Sequence, residues 1–175
     1  MDQVTRSLKK IIPKSVFGAL QPTYHFLLAW LGALLYGFPT KKIYVIGITG
    51  TKGKTTTAEL VNAILEEAGI KTALAGTLRF KIGENSKPNL YKMTMPGRFV
   101  LQKFFRDAVN ARVTHVVVEV TSEGAKQFRH RFIYLDALLF TNLSPEHIEA
   151  HGSYEKYVAA KIEIGTQVVR SPTTS

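Results

Sequence analysis

"KKIYVIGITGTKGKTTT" spans residues 41–57. Residues 41–49 are rich in β-branched side chains and read as a buried strand. Glycines then fall at 47, 50 and 53, and Lys54-Thr55 opens a predicted helix. Leu60, Val61, Ile64, Leu65 and Ala68 recur along it at helical spacing, and Gly69 marks its end. A strand, a glycine-rich turn and a helix start aim backbone N–H groups at an anion. In a phosphate loop, Lys54 would reach the β- and γ-phosphates and the Thr55 hydroxyl would bind Mg²⁺. The usual spacing, however, would put a glycine where Ile48 stands. The loop is therefore a degenerate phosphate loop, a different loop with its own meaning, or a plain glycine turn.

Outward from this stretch the same alternation continues. "KTALAGT" (71–77), "THVVVEV" (114–120) and "LDALLFT" (135–141) are apolar runs of strand length. Val100, Leu101, Phe104, Phe105, Ala108 and Val109 form a helical stripe, and a final helix is predicted over residues 153–164. Residues 82–97 hold Gly, Asn, Ser and Pro and read as an irregular connection. Strands alternating with helices predict an α/β fold, a phosphate-loop-type, mostly parallel sheet flanked by helices. Such sheets bind ligands beyond the carboxyl ends of their strands. Three polar clusters fall there: the loop at 50–56, Glu119 to Ser122, and Thr141 to His147.

The bulk numbers agree with one folded domain. The chain has 175 residues, 45% apolar and 21% charged, enough for a real core. A net charge of +10 points to an anionic partner: nucleic acid, a membrane surface or a phosphorylated substrate. No cysteine is present, which excludes disulfides and thiolate metal sites.

Residues 1–40 are read as a basic and apolar N-terminal helical segment, and residues 41–175 as the nucleotide-binding domain that follows it. Arg6, Lys9, Lys10 and Lys14 stand against one acid, Asp2, and no residue from Ser15 to Thr40 carries a formal charge. "FLLAWLGALLYGF" (26–38) is short of the ~20 residues that span a bilayer. Three readings fit: a membrane-associated helix, a helix packed on the domain or a partner, and a cleaved signal. Trp30, Tyr24 and Tyr36 suit a membrane interface, with a polar tip on an apolar body. The expected location is the cytoplasm, at the inner face of the membrane if the first reading holds.

Glu119 ends an apolar strand, where a carboxylate is costly unless it meets a cation. A Mg²⁺ ligand and a salt bridge to a lysine both resolve that. His147 and His151 are spaced to share a helical face, but the zinc-protease pattern needs Glu where Ile148 stands. A histidine serving a metal beside a nucleotide and a plain surface histidine stay open.

In this order the clusters resemble the Mur ligases, the ATP-dependent amide ligases of peptidoglycan synthesis, of the muramyl-tripeptide synthetase type. That family's loop typically reads Thr-Gly-Thr-Asn-Gly-Lys-Thr-Thr; here it is "TGTKGKTT" (49–56), so the misfit is the family's own spacing. "EVTSEG" (119–124) is similar to Glu-Val-Ser-Ser-His-Gly. "FTNLSPEHIEAHGSYEKYVAAK" (140–161) is similar to Phe-Thr-Asn-Leu-x-x-Asp-His-x-Asp-x-His-Gly with its following Ala-Lys. The resemblance covers about residues 43–163. Lys52, Met95, Thr121, Glu123 and Glu146 depart from the pattern, which bears on the acceptor substrate more than on ATP and metal.

The resemblance implies ATP and Mg²⁺ as cofactors. Gly50, Thr51, Lys52, Gly53, Lys54, Thr55, Thr56 and Asn142 would hold the nucleotide. Thr55, Glu119 and His147 would bind metal, and Lys161 would be the lysine that CO₂ carbamylates. Lys54, Glu119, His147 and Lys161 form the implied catalytic set. Thr94 of "TMP" (94–96), Ser122, Gln127 and Arg129 match substrate-side positions. The implied partners are a UDP-muramyl-peptide-like anion and an amino acid, with no nucleic acid, and residues 1–40 offer membrane association. The family's nucleotide-sugar domain, the rest of the central domain and the amino-acid-binding domain are not recognisable. The chain is therefore expected to be incomplete at its C-terminus and not to ligate by itself. The alternatives are a non-catalytic, membrane-attached nucleotide-binding module and a folylpolyglutamate-synthetase-like ligase.

Overall fold

The computed structural model describes residues 14–91, 93–144 and 152–170. Helix α1 (Lys14–Leu35) leads through a 3-10 turn (Pro39–Lys42) into strand β1 (Tyr44–Thr49). Helix α2 (Lys54–Glu67), strands β2 (Thr72–Ala75), β3 (Arg79–Ile82) and β4 (Asn85–Pro88), and helix α3 (Arg98–Asn110) follow. Strand β5 (His115–Glu119), the short helix α4 (Ser122–Lys126), strand β6 (Ala137–Phe140) and helix α5 (Tyr154–Arg170) are the remaining elements among the described residues.

The four expected strands form one parallel block inside a six-stranded sheet of order β4-β3-β2-β5-β1-β6. In β1, β2 and β5 the unbroken apolar runs are explained by burial on both faces, whereas β6 is an edge strand with half-buried and exposed residues. Val45, Ala73, Val116 and Val118 meet Leu101, Phe105 and Ile164 on one side. Ile46, Ile48, Leu74 and Val117 meet Ala58, Val61 and Leu65 of α2 on the other. The strand period of two thus splits each run between two cores.

Residues 82–97 are not the irregular connection expected from their composition. Their first part closes an antiparallel hairpin, with Ile82 paired to Asn85 and Arg79 to Pro88. A Gly-Glu turn is not among the strong hairpin pairs, and β4 is exposed throughout, so no apolar alternation announces it. Pro88 is tolerated because β4 is an edge strand. The last helix also runs past residue 164 to Arg170.

Helix α1 is not detached from the sheet domain. Ala29 and Ala33 are buried, and Gly32 lies against Phe99 and Gln102 of α3. Arg106 pins the end of the helix, donating from Nε to the Tyr36 carbonyl at 2.7 Å and from Nη2 to that of Gly37 at 3.0 Å. No helix among the described residues is long and apolar enough to cross a membrane.

Candidate active site

The loop between β1 and α2 can only be built as it is with glycine. Gly50 has φ +144°, and a Cβ there would stand 1.9 Å from Thr141 Oγ1. Gly53 caps α2 with φ +78° and no side-chain hydrogen bond, and a Cβ there would meet nothing within 4 Å. The start of a helix leaves its first N–H groups without helical acceptors, so α2 opens onto space suited to an anion.

Residues distant in sequence brace this loop. The amide of Asn142 holds Lys52 twice, accepting from its N–H at 2.9 Å and donating to its carbonyl at 3.1 Å. Thr141 Oγ1 donates to the same carbonyl at 2.7 Å. Thr51 N–H donates to the Asn142 carbonyl at 3.0 Å, and Thr51 Oγ1 bonds the Tyr157 hydroxyl of α5 at 2.6 Å. Asn142 therefore shapes the loop through its side chain. The side chains of Lys52 and Thr56 face solvent.

Two ammonium groups converge on the loop. Lys54 Nζ donates to the carbonyls of Gly50 and Thr51, both at 2.9 Å. Lys161 Nζ, only 3% exposed, donates to the Gly50 carbonyl at 2.8 Å. Burial, and then the charge of Lys54, pushes Lys161 down to about 8. The folded chain thus sheds that proton at a lower pH than the unfolded chain does. Its stability is expected to rise as pH climbs from about 8 towards the ordinary lysine value, by up to ~3 kcal/mol. Below the folded value both states hold the proton and the penalty is fully present. Chemical unfolding at pH ~8 and ~10 should show this rise, and Lys161→Met should remove it. The same pH response in both proteins would mean that the ammonium is not penalised by burial.

Glu119, 1% exposed at the end of β5, is the hub of the other half. Its Oε2 accepts from Thr55 Oγ1 and from Thr77 Oγ1, each at 3.0 Å, and its Oε1 accepts from Thr77 N–H at 2.7 Å. Among the described residues no ion pair reaches it, so a lysine salt bridge is not what settles its burial. Thr77 Oγ1 also bonds Thr94 Oγ1 at 2.8 Å. Thr94, Thr77, Glu119 and Thr55 thus form one continuous chain of hydrogen bonds. Two hard oxygen donors, a carboxylate and a hydroxyl, sit side by side at the start of α2, a donor set that fits Mg²⁺.

The remaining residues expected on the substrate side gather around α4. Ser122 is buried at its first position. Arg129 donates to Gln127 Oε1 at 2.7 Å and to the Met95 carbonyl, while Arg98 donates to the Gln127 carbonyl. Both arginines are half-buried, and burial lowers their pKa values, with the charge of Arg129 lowering that of Arg98 further. The two groups meet at residues 94–95: Thr94 turns to Thr77, and Met95 takes Arg129. A cavity of about 620 Å³ opens on this side, between α1 and α4, lined by Gln21, His25, Lys126, Gln127 and Phe128.

Thr55, Glu119, Lys54, Lys161 and Thr94 are therefore assembled as one site. His147 lies outside the described residues. Thr77, Tyr157 and Arg98 were not singled out from sequence. Thr77 carried a usable signal, since it follows β2 at the strand's carboxyl end, where ligands bind.

A mostly parallel sheet with a glycine loop and a strand-end carboxylate at its carboxyl edge defines an α/β domain. The family model of the Mur ligase middle domain matches residues 48–173. The chain belongs to the Mur ligases. It is 39% identical over 134 residues to a UDP-N-acetylmuramoyl-L-alanyl-D-glutamate--2,6-diaminopimelate ligase of Geobacillus kaustophilus, covering 77% of this chain and 27% of that protein. A protein of the same name from Chlamydia trachomatis is 40% identical over 133 residues, covering 76% of this chain and 27% of the relative. A solved structure of a ligase of this name matches with TM-score 0.59 at 30% identity, covering 68% of this chain and 23% of that one. A UDP-N-acetylmuramoylalanyl-D-glutamyl-2,6-diaminopimelate--D-alanyl-D-alanyl ligase from Acinetobacter baumannii, 18% identical with TM-score 0.55 over 82% of this chain and 28% of that one, shares the fold. The chain spans about a quarter of the length of these relatives.

Proposed function

We propose that this chain is the ATP-binding part of an amide-forming ligase that adds an amino acid to a UDP-N-acetylmuramoyl-peptide. The observation that carries the reading is the hydrogen-bonded chain from Thr94 through Thr77 and Glu119 to Thr55. It couples the acceptor-side segment to the start of the phosphate-loop helix. In the reaction, a substrate carboxylate oxygen attacks the γ-phosphorus of ATP and ADP leaves. The amine then attacks the resulting acyl phosphate and phosphate leaves, with the amine proton passing to a base. No protein nucleophile is required, so positioning and charge do the work.

The chain's own residues divide these tasks. The loop N–H groups and Lys54 hold the phosphates. Thr55 and Glu119 would hold Mg²⁺, and His147 would hold a second metal ion with Glu119; the ions would supply positive charge against the phosphate oxygens. Asn142 and Tyr157 keep the loop in shape. Arg129, Gln127 and Ser122 orient the acceptor. Lys161 is suited to carbamylation, because its lowered pKa gives it the neutral amine that adds to CO₂ with release of one proton. The names of the relatives make 2,6-diaminopimelate the first amine to test. We place the reaction in the cytoplasm, where ATP is available.

Calorimetric titration of the chain with ATP tests the reading. Binding is expected in Mg²⁺ and is expected to weaken by about tenfold or more when the metal is chelated. No binding in either condition would overturn it.

A further inference from the structure

Helix α1 inverts the usual arrangement of a surface helix. Its small residues, Ala29, Gly32 and Ala33, face the domain, and its large apolar residues face out. Tyr24, Leu27, Trp30, Leu31, Leu34 and Leu35 are between 40% and 69% exposed and fall on one half of the helix. An apolar face of this size on a soluble domain marks an interaction site. The charge pattern says what covers it. From Ser15 to Thr40 there is no formal charge, while Arg6, Lys9, Lys10 and Lys14 precede the helix face and Lys41 and Lys42 follow it. Cations at both ends of an uncharged stripe complement an anionic lipid surface. A helical protein partner would be set in register by charges along the sides of the stripe, and residues 15–40 carry none. The helix is not apolar enough to cross a bilayer.

We propose that the outward half of α1 lies flat in the headgroup region of an anionic membrane, and that it holds the nucleotide domain there. The 22-residue helix would lie along the surface, with Trp30 and Tyr24 at the depth their amphipathic rings favour. Because Arg106 ties the helix end to α3, docking would fix the orientation of the whole domain and not merely tether it.

Trp30 is the single tryptophan of the chain and sits in the face itself, so its emission reports directly. With vesicles of equal parts phosphatidylglycerol and phosphatidylcholine, the emission is expected to shift to the blue and to be quenched by brominated acyl chains. Affinity should be about tenfold or more above that for pure phosphatidylcholine, and ~0.5 M salt should erase the difference. Leu31→Glu with Leu35→Glu should weaken binding to the anionic vesicles by about tenfold or more while the helical circular dichroism is kept. An unshifted emission on anionic vesicles overturns the proposal. So does vesicle binding that the double variant retains. A lipid-free dimer that buries Trp30 and loses it in the double variant would assign the face to a second copy instead.

Discussion

The Lys54→Ala variant is expected to bind Mg·ATP about a hundredfold more weakly than the unaltered chain, with its fold intact. Lys54 Nζ is held by two loop carbonyls at 2.9 Å, so two of its N–H groups are fixed by the protein itself. That leaves a pre-positioned cation at the helix start, and little side-chain order has to be gained on binding. A hydrogen bond between charged groups contributes about 1.5–3 kcal/mol net, and more where water is excluded. The alanine loses this contact and the charge together. A second readout separates local from global effects. Lys54 is the second cause of the low pKa of Lys161, so its removal should move that group back towards the ordinary lysine range. Calorimetry measures the first effect, and the pH dependence of unfolding measures the second. Retained affinity in the variant would take the loop out of the nucleotide site.

Glu119→Gln should weaken the response to Mg²⁺ while leaving the domain folded. The amide oxygen can keep the Thr77 N–H bond, and the hydroxyls of Thr55 and Thr77 can rotate to accept from the new NH₂ group. What disappears is the negative charge, which a hard divalent cation needs from its few protein ligands. Removing a carboxyl group from a position 1% exposed and keeping its hydrogen bonds through the amide leaves no buried polar group unpaired, so stability should hold. At fixed ATP, the Mg²⁺ concentration giving half-maximal binding is expected to increase by about tenfold or more. An unchanged midpoint would mean that Glu119 only organises Thr55 and Thr77.

These two residues show how differently parts of the site could be read. Lys54 was legible because its setting is local: a strand, two glycines and a helix start lie within a few residues of it. Glu119 was legible as a strand-end carboxylate, but its sequence left its partner open between a metal and a lysine. The structure surrounds it with Thr55 and Thr77, and Thr77 lies 42 positions away. The Tyr157 hydroxyl that holds Thr51 is 106 positions away. A threonine or tyrosine looks ordinary in a sequence, and only its partner makes it part of a site.

The fold divides in the same way. Apolar runs of strand length were enough to establish four strands, because in β1, β2 and β5 burial on both faces writes itself into composition. The hairpin at β3 and β4 left no such trace. Its residues are half-exposed or exposed, and its pairing comes from backbone hydrogen bonds that any side chain allows. The outward face of α1 was visible as an uncharged stretch, but which half of it meets solvent depended on where α3 packs. The sequence by itself determined the loop, the parallel strands and the acid at the end of one of them, since each follows from near-neighbour chemistry. The strand order, the Thr94–Thr77–Glu119–Thr55 chain and the burial of Lys161 against Gly50 were decided only in the tertiary structure, because each joins groups that become neighbours only when the chain closes on itself.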